Sequence, residues 1–133
     1  MSKGDPGVPP VLIGGTIWNI SVQSGKSVKE LRGLEGLCQY TKHRMLINSD
    51  VVPPERYESV RFHEEFHASA DMHEARYAMQ RILKVTADEM FEIEEHFIRL
   101  YGSAMFAQLK ANGHLTYPEF QTVDMDEEDS DNP

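Results

Sequence analysis

Val60-Arg61-Phe62-His63-Glu64-Glu65-Phe66-His67-Ala68 lies in a run of helix-forming residues, and its reading decides the rest of the chain. On a helix, His63 and His67 are four residues apart and so roughly 40° apart around the axis, one turn above the other, where both imidazoles reach one ion. Glu64 stands beside them, placed to take a proton from a water at that ion. Two imidazoles with a neighbouring carboxylate as proton acceptor are the core of zinc-assisted hydrolysis, in which the ion lowers the pKa of water towards ~7. Val60, Phe62 and Phe66 mark a helix whose other sides are packed in a core.

A chain of 133 residues is enough for one domain with a modest core. No segment approaches the roughly 18 apolar residues of a membrane helix, and Val8 to Ile13 is broken by two prolines, so neither a membrane span nor a secretory leader is expected. The single cysteine, Cys38, excludes an internal disulfide, suits a cytoplasmic setting and reads as a half-buried strand residue. The net charge of −9 is unevenly spread, because six of the 22 acids fall in Asp124 to Asp131. That ending lacks the apolar groups to offset ordering entropy and reads as a solvated tail. No basic stripe with interleaved aromatics appears elsewhere, which argues against a nucleic-acid partner.

Working outward from the motif, Pro53-Pro54 precedes a helix expected to begin near Glu55. Val11-Leu12-Ile13 and Thr16 to Val22 read as strand, with a turn or a bulge at Gly14-Gly15 between them and with Trp18, Ile20 and Val22 on the apolar face. Gly36 to Tyr40 and Arg44 to Asn48 read as a hairpin turning at Thr41-Lys42-His43. Beyond the motif, Ala68 to Ile82 favours continued helix. Thr86 with Glu89 three residues later has capping-box spacing, and a second long helix should run from there to Asn112-Gly113. Met90, Ile93, Phe97, Tyr101, Ala104 and Met105 trace its expected core stripe.

Catalytic zinc sites have three protein ligands and a water. Glu94 points with that stripe towards the core, where an ionised carboxylate is costly unless paired or bound to metal, and so it is the expected third ligand beside His63 and His67. A shift of one residue in the stripe would put Glu95 in its place. His73 has the spacing of the third histidine in H-E-x-x-H-x-x-G-x-x-H, but Ala70 replaces the glycine that would turn the chain, and continued helix would carry His73 roughly 240° from His67. His43, His96 and His114 read as surface groups. Tyr40, Tyr57, Tyr101 and Arg44 are all candidates for stabilising an oxyanion.

The order of Ile13-Gly14-Gly15, a Gly-led hairpin, Ile47-Asn48, His63-Glu64-Glu65-Phe66-His67-Ala68 and a Glu-bearing helix ending Met105 to Asn112 resembles the small phage-type metallopeptidase-like proteins related to the ImmA/IrrE group. The resemblance spans about Leu12 to Asn112. It departs at Glu65-Phe66, where the family more often has two aliphatic residues. It implies a gluzincin-like zinc metallopeptidase, with His63, His67 and Glu94 as metal ligands and Glu64 as general base, acting on a protein or peptide substrate in the cytoplasm (that of the host if phage-encoded). The expected fold is α+β and minimal zincin-like: a small twisted N-terminal antiparallel sheet packed on the motif helix and a second long helix. One domain is expected over 11–120, between a flexible 1–10 and a disordered acidic 121–133.

Overall fold

Gly14 and Gly15 have φ of 58° and 82°, the left-handed pair that a two-residue hairpin turn requires, and they join β1 (Val11–Ile13) to β2 (Thr16–Gln23) in antiparallel register. This computed structural model describes residues 9–117; the acidic ending, and most of the expected flexible N-terminus, lie outside the described residues. Over the described residues the architecture is α+β, with a four-stranded sheet and a layer of helices. β3 (Gly36–Gln39) and β4 (Arg44–Asn48) form the expected hairpin, pairing Gly36 with Ile47 and Gln39 with Arg44. His43, with φ of 51°, completes its turn and stacks at a tilt on Trp18.

The sheet is mixed, which corrects the expectation of an antiparallel one. β4 runs parallel to β2 in the order β1-β2-β4-β3. The reason lies in Met45-Leu46-Ile47, all fully buried: Met45 joins Trp18, Ile20 and Ala68, and Ile47 joins Val22, Val52, Tyr57 and Val60. Leu46 packs on the opposite face with Val28 and Leu31, from the turn over Lys29–Leu31. A strand apolar on both faces belongs inside a sheet, so β4 takes the interior and β3 the edge.

α1 (Tyr57–Met72) carries the motif and follows a tight turn at Pro54–Arg56. Val60, Tyr57 and Ala68 seat it on the sheet. The helix does not continue to Ile82: Glu74 adopts φ of 63°, and α2 (Ala75–Leu83) sets off in a new direction. The local helix preference of Ala68 to Arg76 is overridden because the turn carries Arg76 inwards to a buried carboxylate. α3 (Ala87–Phe97) begins at the expected capping box of Thr86 and Glu89, and α4 (Ser103–Ala111) ends before Gly113, where φ is 72°. Between them Ile98–Gly102 forms a π-helical turn.

The buried stripe of this second helical run is Met90, Glu94, Ile98 and Gly102, whereas Ile93, Phe97, Tyr101 and Met105 remain largely exposed. The helix is thus rotated from the orientation its apolar residues alone suggest. Leu46→Ala should cost ~2–5 kcal/mol in urea unfolding, as expected for a fully buried leucine. Ile17→Ala, at a position 63% exposed, should stay within about 0.5 kcal/mol of the parent.

Candidate metal centre

α1 and α3 face each other across the motif. His63 Nε2 lies 3.2 Å and His67 Nε2 2.7 Å from the same oxygen, Glu95 Oε1, and the two imidazole centroids are 5.0 Å apart. Among the described residues, His63, His67 and Glu95 form the group of His, Cys, Asp and Glu side chains whose donor atoms converge, within 4.8 Å, in a manner fit for one ion. Tetrahedral coordination with bonds of ~2.0–2.1 Å sets donor atoms ~3.3 Å apart. The His63–Glu95 distance already meets this, and the His67–Glu95 distance needs to open by about half an ångström. Two imidazoles and one carboxylate are donors of the kind a divalent transition-metal ion takes, and the adjoining cleft leaves room for a fourth.

Glu94, the expected third ligand, does not join the two Nε2 atoms in this arrangement. Its Oε2 lies 2.6 Å from His67 Nδ1, on the far side of the ring, and both its oxygens are held by Arg76. The difference follows from the rotation of α3. Glu94 sits in the centre of the α1–α3 interface, and Glu95, one position on, opens towards the cleft with Phe91 and Ile98. His73 caps the end of α1, exposed and outside the group. His96 and His114 are exposed, as expected, whereas His43 is half-buried against Trp18.

The protonation of this cluster follows its pairing. Burial opposes charge on His67, but the bonds to Glu94 and Glu95 outweigh it and raise the pKa. Burial likewise opposes ionisation of Glu95, yet Arg99, whose Nε donates to Oε2 at 2.7 Å, and His67 bring its pKa down to about 2. For Glu94 burial is again overcome, here by Arg76 and His67, and the carboxyl is held below its usual range. Without an ion, the contacts of Nδ1 with Glu94 and of Nε2 with Glu95 each call for a proton on the ring; with an ion at Nε2, His67 would keep only the Nδ1–H that it donates to Glu94, the tautomer a metal ligand needs.

Glu64 lines the same cleft, of about 840 Å³, but lies on its sheet side and is 8% exposed. Burial raises its pKa against the pull of His63 and His67. Two features of β3 hold it. The Cys38 thiol lies 3.1 Å from the Glu64 carbonyl and 3.4 Å from Oε1, positioned to donate to either. Gly36 leaves the space: a Cβ there would come within 2.9 Å of both Glu64 Oε2 and Val60 Cγ1. Sequence reasoning missed both roles, because hairpin register places them against α1 and no motif marks them.

Of the four oxyanion candidates, only Tyr40 lines the cleft; its hydroxyl accepts from Arg76 Nη2 at 3.1 Å. Tyr57 is buried in the core, Arg44 donates to Gln39, and Tyr101 is exposed. No described helix is long and apolar enough to cross a membrane. Comparison with protein-family profiles, with curated proteins and with solved structures finds no match to this chain.

Gly36→Ala should cost ~1–3 kcal/mol in chemical denaturation, because the added methyl must displace Val60 or the Glu64 carboxylate. Gly33→Ala is the wrong control, since its φ of 81° is itself strained. Leu37→Ala, half-buried on the same strand, is the better one, with a loss by simple truncation and no displacement of Glu64 in a crystal structure.

Proposed function

We propose that this chain is a zinc-dependent metallopeptidase-like protein in which His63, His67 and Glu95 hold the ion and Glu64 is the general base. The observation that carries the reading is the convergence of two Nε2 atoms and one carboxylate oxygen beside a cleft that also contains a second, separately held carboxylate. Zinc bound by these three residues would lower the pKa of a water and polarise a carbonyl. Glu64, its pKa raised by burial, is suited to accept a proton at a carboxylate oxygen and return it to a leaving amine. Tyr40 lines the same cleft and, with its hydroxyl supported by Arg76, is the candidate donor to developing negative charge.

A peptide would bind along β3. Among the described residues this strand pairs with β4 alone, so its outer edge offers backbone donors and acceptors for strand addition, and Gly36, Leu37 and Cys38 line the cleft. Its hairpin partner β4 lies in the sheet interior and has no free edge. The zincin-like character of the fold, the relation to the ImmA/IrrE group and a cytoplasmic site of action belong to the same reading.

A second reading is a metal-binding protein without hydrolytic activity. It is favoured by the seating of Glu64 against Gly36 and Cys38, which limits the reach of its carboxylate. Metal analysis and cleavage assays on a peptide library separate the two. Wild type should carry about one equivalent of zinc, Glu95→Ala should lose it, and Glu94→Ala should keep it with affinity lowered ~10–100-fold. Glu64→Gln should retain zinc and lose cleavage. Zinc retention by Glu95→Ala would remove Glu95 from the ligand set, and absence of zinc from the wild type would sink both readings.

A further inference from the structure

One buried cation does far more than support the Tyr40 hydroxyl. Arg76, on α2, is 4% exposed, and all three of its guanidinium nitrogens have acceptors. Nε donates to Glu94 Oε1 at 2.8 Å, and Nη2 donates to Glu94 Oε2 at 2.9 Å. Nη2 also reaches the Tyr40 hydroxyl at 3.1 Å and the His67 carbonyl at 3.2 Å, while Nη1 donates to Asp71 at 3.1 Å. The guanidinium carbon lies 4.2 Å from the centroid of the Phe91 ring. The chain adopts a left-handed residue at Glu74, a non-glycine conformation that costs ~1 kcal/mol or more, at the break that brings this side chain inwards.

A buried ion pair alone is weak evidence of anything beyond its own satisfaction. Here the pair has a third member. Glu94 Oε2 is shared between Arg76 Nη2 and His67 Nδ1, so the carboxylate is gripped from both sides and the imidazole is held by one edge. Glu95 follows Glu94 on the same helix, about 100° further round, so anchoring Glu94 also sets the rotation of α3 that brings Glu95 Oε1 to both Nε2 atoms. The planar fork of an arginine does this where a lysine cannot, because only the fork meets both oxygens at once.

We propose that Arg76 is a positioning residue of the His63–His67–Glu95 centre: by clamping Glu94 against His67 Nδ1 it orients the His67 ring and the α3 face that carries Glu95. This rests on the reading of that group as a metal site. Its consequence is that metal affinity and coordination geometry depend on a residue that contacts no donor atom of the ion, from a helix outside the motif.

The test uses the full-length chain with Arg76→Lys, Arg76→Met and Asp71→Asn, each checked for folding by circular dichroism. Zinc affinity is measured by competition with a chromogenic chelator, and geometry by the visible absorption of the cobalt-substituted protein. Arg76→Lys and Arg76→Met should bind zinc ~10–100-fold more weakly, with an altered cobalt spectrum, while Asp71→Asn should stay within about threefold. If Arg76→Met does not fold, Arg76→Lys, which keeps the charge and loses the fork, carries the test. Unchanged affinity and spectrum in Arg76→Lys, with only a lowered melting temperature, would reduce Arg76 to a structural ion pair and leave the metal reading intact. Failure of the wild type to bind either ion would overturn the metal reading first, and the positioning role with it.

Discussion

The buried hydrogen bond between His67 Nδ1 and Glu94, 2.6 Å long, ties α1 to α3 at the point where each helix turns a polar residue into the interior. Neither group is tolerable there alone. An unpartnered carboxylate or imidazole in that interface would be costly, and their mutual bond, completed by Arg76, is what permits the two helices to close. The rotation of α3 follows from it, and with that rotation comes Glu95 over the histidines. The exposure of Ile93, Phe97 and Tyr101 follows too: their apolar stripe gives way to a stripe centred on Glu94 and Ile98. A hydrophobic preference spread over several side chains yields to one charge that has a single place to go.

α1 serves three neighbours at once. Val60 and Ala68 pack on the sheet, His63 and His67 face α3, and Glu64 faces β3. A helix offers about 100° per residue, so adjacent positions necessarily address different neighbours. The motif thus divides its side chains: the imidazoles belong to the α3 side of the cleft and the carboxylate to the sheet side. β3 can approach closely enough to hold the carboxylate only because position 36 has no side chain and position 38 has a small one that can donate.

Much of the local architecture was legible because it depends on nearest neighbours. The Gly14-Gly15 hairpin, the Trp18, Ile20 and Val22 face, the β3–β4 turn, the Thr86–Glu89 cap and the closing Gly113 all rest on interactions within a few residues. Strand direction was not legible. That β4 would slot in parallel to β2 depends on burying both faces of Met45-Leu46-Ile47, a contest among whole elements. The break at Glu74 was likewise hidden, since its local sequence favours helix and its cause, Glu94, is twenty residues away in the chain.

The residues themselves determined that His63, Glu64 and His67 share a helix, and that a glutamate near position 94 has to find a partner in the interior. The choice between Glu94 and Glu95 at the Nε2 atoms, and the recruitment of Arg76, Cys38 and Gly36 around the centre, belonged to the tertiary structure. The physical reason is one of scale. Helical periodicity assigns side chains to faces only to within about one residue, whereas a coordination sphere distinguishes neighbours by ~100° of rotation, and that rotation is set by the packing of helices distant in sequence.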